Sequence, residues 1–201
     1  MVRLHESLHG RVGRPEQHVS DILRGSLVLV IAALDAVVSS GVASLLPDLI
    51  RTGAIGESIR KWIKANPDAV ADSLMLDDPV AALASALEER LLLTSSFQRV
   101  EKVQEVLRDF GDCAVDWTDV ADRANRARVG GKAKWTESEV RRRLNAFVER
   151  RNAIAHQGDL NARGTAAKTI QRPYVQEAIG LVTCTGAHVC GIVKARKRLL
   201  R

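Results

Sequence analysis

The chain is 201 residues long and 46% hydrophobic, so one folded domain is expected and wholesale disorder is excluded. Aromatic residues make up only 3%, with one Tyr and three Phe, which argues against base-stacking platforms of the RRM or OB type. A net charge of +6 and a pI near 9.6 favour a polyanionic partner without singling out nucleic acid.

Residues 1–15 read as a basic, flexible N-terminal arm carrying Arg3, Arg11 and Arg14. Within it, His5-Glu6-Ser7-Leu8-His9 spells H-E-x-x-H, which on a helix would bind zinc. Only four residues precede it, too few for the sheet such sites are built on. No third ligand is evident downstream, so no metal site is expected. Pro15 suits the first turn of a helix, and residues 16–45 read as one long helix. Its apolar positions Val19, Ile22, Leu23, Leu27, Val30, Ile31, Leu34 and Val38 recur at i, i+3/i+4 spacing. The run Leu27–Leu34 has the look of a buried strand, but its Ala content and the continuing helical period decide for helix. That run is eight residues long and ends at Asp35, too short to span a bilayer. The N-terminus carries Glu6 and has no uninterrupted apolar core, so no signal peptide is expected.

Pro47 breaks the chain, and a short helix follows at about 55–65 with Ile59, Trp62 and Ile63 on one face. Asn66-Pro67 and Asp78-Pro79 are further breaks. Helical spacing resumes over 79–93 and 97–110, while 111–134 reads as irregular, with Gly130-Gly131 near its end. Thr136 and Glu139 form a capping-box pattern opening a helix that turns Val140, Leu144, Phe147 and Val148 inward. The last helix begins near Arg172-Pro173 and runs to about 197. The architecture expected is all-α: a single-domain bundle of about five helices over 16–201, preceded by the arm.

The penultimate helix leads into Arg151-Asn152-Ala153-Ile154-Ala155-His156. Arg keeps its charge at neutral pH, whereas His gains or loses a proton there. Together they suit chemistry on a phosphodiester, with His shuttling the proton and Arg holding the charge that builds on the phosphate oxygens. Residues five apart on an ideal helix point about 140° apart. Joint action of Arg151 and His156 therefore requires the helix to end or kink between them, or a second subunit to complete the site. Gly158 is the candidate terminator.

The stretch Glu149–Gly158 resembles the signature of the HEPN superfamily, in particular its RiboL-PSP-HEPN branch: Arg, then a polar residue, often Asn, then a short spacer and His. Arg151, Asn152 and His156 fill those places. The segment Gly25–Val38, an apolar run with one acid near its end, looks like the family's first core helix. The resemblance covers roughly residues 18–195, with its specific part at Arg151–His156. It implies a metal-independent, cofactor-free endoribonuclease working across a homodimer interface in the cytoplasm. RNA is the implied substrate, and an antitoxin or defence-system protein an implied partner. His156 would be the general acid/base, Arg151 the charge stabiliser, and Asn152 would position the motif or the phosphate.

Other residues are weighed alongside these. Asp35 closes an apolar run and needs a partner; it either sits partly exposed or reaches Arg151 or His156. Arg143 and Arg150 belong to a cluster with Arg141, Arg142 and Arg151 that reads either as a solvated face or as a phosphate-tracking strip. His188 reads as a satisfied, partly buried histidine rather than a ligand. Cys113, Cys184 and Cys190 form no CxxC and support neither a disulfide framework nor a zinc ribbon; the last two read as small core residues. The Lys194–Arg201 tail reads either in the same way as the arginine cluster or simply as a dipole-matched helix end. Two rival functional classes remain: a non-catalytic HEPN-type module that binds RNA or a partner, and a helical adaptor whose motif matches by chance.

Overall fold

Helical periodicity in the sequence is realised as helix almost throughout. A computed structural model describes residues 17–94, 96–111, 113–127, 134–160 and 167–201. The chain is all-α: the described residues hold nine helices and no strand, with one isolated bridge between Leu160 and Ala167. In chain order these are α1 (Gln17–Ala43), α2 (Leu46–Thr52), α3 (Glu57–Ala65), α4 (Pro67–Leu74), α5 (Pro79–Thr94), α6 (Val100–Gly111), α7 (Trp117–Ala127), α8 (Glu137–Gln157) and α9 (Arg172–Leu199). The arm at 1–15, its H-E-x-x-H stretch and Gly130-Gly131 lie outside the described residues.

The helix count exceeds the expected five because prolines open helices here as well as ending them. Pro47 lies in the first turn of α2 and Pro67 begins α4, where the missing N–H has no partner to lose. The region expected to be irregular holds α7, a short helix whose apolar side is Trp117, Val120, Ala121 and Ala124.

Contacts cluster the chain into two compact units, 1–34 with 117–185 and 35–116 with 186–201. In the first, Leu23, Leu27, Ile31 and Leu34 of α1 are at most 1% exposed. The same unit buries Val120 of α7, Leu144 and Phe147 of α8, and Val175 and Leu181 of α9. α7 packs directly on α8. In the second, α2 and α4 pack on α5, and α2 and α3 on α6, around Leu46, Leu49, Ile59, Val103 and Leu107.

The apolar stretches extend well beyond the eight residues seen in sequence. Ser20–Thr52 and Arg172–Leu199 are each long and apolar enough to cross a membrane by length and composition, with mean hydropathy 2.1 and 1.5. Core helices pass the same test, and the buried leucines of α1 sit in such a core.

Gly56 sets α3 against α6. A Cβ there would lie 1.8 Å from the Asp109 carbonyl oxygen, so this approach of helix start to helix end requires glycine. Asp109 also receives the Ser58 hydroxyl at 2.5 Å, which ties the first turn of α3 to the same point.

Candidate active site at the end of α8

The helix carrying the Arg-x4-His motif is anchored at both ends. At its start, Thr136 Oγ1 accepts the Glu139 N–H at 3.3 Å, while the Glu139 carboxylate accepts the Thr136 N–H at 3.0 Å, the capping box expected from the sequence. Val140, Leu144, Phe147 and Val148 are buried, and the Phe147 ring meets Tyr174 edge-on at 5.0 Å and 76°.

The helix does not end or kink between the two motif residues. α8 runs unbroken to Gln157, and only then does Gly158 turn left-handed at φ 64°. Arg151 and His156 therefore point about 140° apart on one continuous helix. Of the two ways the sequence allowed for joint action, an end or kink of the helix between the two residues is absent.

The terminus itself is elaborate. The Gly158 and Asp159 N–H groups converge on the Ala153 carbonyl, the latter at 3.0 Å, and Asp159 adopts φ 57°, a left-handed conformation that is uncommon outside glycine. Asp159 is fully buried. Its Oδ2 accepts from Arg24 Nε at 3.2 Å and from Arg150 Nη2 at 2.7 Å, while its Oδ1 has no partner among the described residues. Arg24, 8% exposed, also donates to the Lys168 carbonyl at 2.7 Å and to Asp21 at 2.7 Å. The Lys168 N–H returns to the Asp159 carbonyl at 2.7 Å. Two guanidiniums on one buried carboxylate thus hold the end of α8 to α1 and to the segment before α9. A buried polar group is costly unless partners satisfy it, and the two guanidiniums are those partners.

This arrangement engages two of the candidate RNA contacts within the protein. Arg150 was a candidate RNA contact, but its Nη2 is committed to Asp159 and lies within 3.3 Å of the Lys168 carbonyl and 3.2 Å of the Thr169 carbonyl. Arg143 was another; it pairs with Glu177 of α9 and stacks over the Trp135 ring at 4.6 Å. The physical reason is periodicity: 143, 147 and 150 follow i, i+4, i+7 and share the side of α8 that carries Phe147. Arg141 pairs at 3.3 Å with Glu137, and Arg142 is exposed.

Of the motif residues, Arg151 is half-buried and donates from Nη1 to Asn152 Oδ1 at 2.9 Å, and its Nε has no partner among the described residues. Asn152 is half-buried, and His156 stands exposed in the last turn of α8 with no hydrogen bond among the described residues. An open imidazole can exchange protons with a bound substrate.

Asp35 is engaged elsewhere. Its Oδ1 accepts the Phe97 N–H at 2.8 Å, and its Oδ2 accepts from Gln98 Nε2 at 3.1 Å and Ser96 Oγ at 3.5 Å. These partners stand in place of the Arg151 or His156 that the sequence suggested. His188 is satisfied as expected, its Nε2 accepting the Asp116 N–H at 3.1 Å. Cys184 is half-buried, and burial pushes its thiol above the ordinary range against the opposing pull of Arg123 and Arg126. Cys190 is exposed, which corrects its reading as a core residue. Burial likewise raises the Tyr174 phenol, opposed by Arg150 and reinforced by Glu177 and Asp159. No group of three or more His, Cys, Asp or Glu suited to a metal ion occurs among the described residues.

Sequence reading missed Asp159 and Arg24. The signal for Arg24 was a cation spaced three and seven residues before Leu27 and Ile31, in the buried stripe of α1. Asp159, following the helix-ending glycine, carried no comparable signal. Compared with family models, curated proteins and solved structures, the chain matches none of them.

Proposed function

We propose that this protein is a metal-independent endoribonuclease of the HEPN type, acting as a homodimer in which each copy contributes one Arg151–Asn152–His156 set. One observation carries the reading: the His156 imidazole is open to solvent five residues beyond a guanidinium held by its neighbouring amide, on a helix end fixed by two ion pairs to a buried carboxylate.

In this reaction one imidazole accepts the proton of the RNA 2′-OH as that oxygen attacks the adjacent phosphorus. The bond to the 5′ oxygen breaks, and a second imidazole, the partner subunit's His156, gives that oxygen its proton. The products are a 2′,3′-cyclic phosphate and a 5′-OH. Arg151 receives the negative charge that builds on the non-bridging oxygens. The continuous helix favours two copies over one, because a single helix turns its own Arg151 and His156 away from each other. DNA lacks the attacking hydroxyl and is left uncut. An RNA-cutting enzyme of this kind fits a toxin–antitoxin or anti-phage setting in the cytoplasm, with a protein partner that restrains it.

The test is incubation of the purified protein with structured RNA in EDTA beside His156→Ala. Cleavage that survives the chelator and falls at least about 100-fold in the variant supports the reading. Binding of RNA without cleavage in either protein overturns it and favours the non-catalytic module.

A further inference from the structure

Independently of any RNA chemistry, the second unit holds a cavity of about 440 Å³ bordered by α3, α5 and α6. That volume falls in the range of small-molecule sites, roughly 300–1,000 Å³. The composition of its walls is unusual for this chain. Only seven aromatic residues occur in the whole sequence, and three of them, Trp62, Phe97 and Phe110, border this one cavity. Ile59, Leu87 and Val106 complete an apolar floor whose residues, Trp62 apart, are at most 5% exposed. No side chain of that floor offers a hydrogen-bond donor or acceptor, apart from the indole N–H of Trp62 at the wall.

The rim is polar and charged. Lys61, Arg90 and Lys102 face it against Glu105 and Asp109, which leaves one positive charge in excess. The acids are already occupied: Glu105 holds Lys102 at 2.6 Å, and Asp109 holds the Ser58 hydroxyl at 2.5 Å. Lys61 has only a loose contact with Glu57, at 3.9 Å, and its side chain is 75% exposed, leaving it free to turn toward a bound anion. The floor is also held in place from behind. Asp35 fixes the Phe97 backbone, and Gly56 permits the close approach of α3 to α6.

From this arrangement we infer that the cavity binds a small amphipathic acid, with its apolar body among Trp62, Phe97 and Phe110 and its single carboxylate at Lys61, beside the Lys102–Glu105 pair. A neutral ligand leaves the excess cation unused. A nucleobase brings donors and acceptors that the floor cannot pair, and leaving them unpaired is costly. A doubly charged phosphate exceeds the single surplus charge. The body is either a fused aromatic ring or a short alkyl chain, and the walls accept both.

Calorimetric titration of the full chain with 2-naphthoate and, separately, with decanoate tests this. 2-Naphthylmethanol serves as the neutral control. Two variants keep the test interpretable, because neither touches the floor. Lys61→Glu with Lys102→Glu reverses the rim charge at exposed positions, and Ala65→Trp places a bulky ring at the cavity's exposed border. Unaltered far-ultraviolet dichroism and melting temperature establish that each is folded. The expected result is saturable one-to-one binding of at least one acid. Affinity should fall about tenfold or more in the charge-reversed variant and for the neutral alcohol, and binding should be lost in Ala65→Trp. Binding of naphthoate alone assigns an aromatic acid, and binding of decanoate alone a fatty acid. No binding of either acid at millimolar concentration overturns the inference. So does equal binding of the alcohol, or binding indifferent to both variants.

Discussion

Asp35 accepts the backbone N–H of Phe97 at 2.8 Å across 62 positions of sequence, and this contact anchors the segment that enters α6. A carboxylate at the end of an apolar run invites a catalytic reading, yet its partners are a main-chain amide, the Gln98 side chain and the Ser96 hydroxyl. Asp35→Ala should destabilise the protein by about 1–2 kcal/mol, the usual cost of removing an acceptor from a buried N–H, with Asn restoring part of it. RNA cleavage should be unaltered once folded protein is compared with folded protein. Urea denaturation beside the cleavage assay checks both, and lost cleavage at full stability would return Asp35 to the catalytic machinery.

The Arg24–Asp159–Arg150 cluster should behave as a buried ionic network. Arg24→Met or Asp159→Leu alone strands a charge in the interior and should cost about 3–5 kcal/mol. Together the two substitutions should cost clearly less than their sum, because they remove both charges of one pair. A double-mutant cycle by chemical denaturation reads this out, and simple additivity would mean that the two side chains do not interact energetically.

Gly56 admits no side chain. Gly56→Ala forces a methyl group into the Asp109 carbonyl, so the helices must separate, at a cost of about 2 kcal/mol or more. Thermal unfolding measures it; a wild-type melting temperature would show that α3 and α6 are held less tightly than the 1.8 Å approach requires.

Alkaline stability should carry the mark of Tyr174. Burial raises its phenol above the ordinary value of 10.0, with Arg150 opposing and Glu177 and Asp159 adding to the rise. The folded chain therefore holds this proton more tightly than the unfolded chain does. That contribution is fully present below pH 10.0 and is lost as the pH climbs through the folded value. Tyr174→Phe should flatten the decline in melting temperature above that pH, and an unchanged slope would refute it.

Helices were legible wherever apolar spacing persisted. α1, α8 and α9 begin and end within a few residues of where periodicity placed them, and Thr136 with Glu139 announced the start of α8 correctly. What escaped was short or dual in meaning. Pro67 reads as a break but opens α4, and α7 has only eleven residues in which to show a stripe. At the candidate site the motif itself was visible, but the partners of its arginines were not. A basic cluster looks the same in sequence whether its members face solvent or, like Arg143 and Arg150, are held by Glu177 and Asp159. Pairings across 34 or 135 positions leave no local trace.

The same long reach sets an order on synthesis. At about 5–20 residues per second, a ribosome that has released Arg24 needs roughly seven to twenty-seven seconds to deliver its acceptor 135 positions later. Until then the nascent chain presents an oily helix whose buried cation has only Asp21, three residues before it, for an ionic partner. Chaperone capture should be strongest in that interval, and it should relax only when the acceptor emerges.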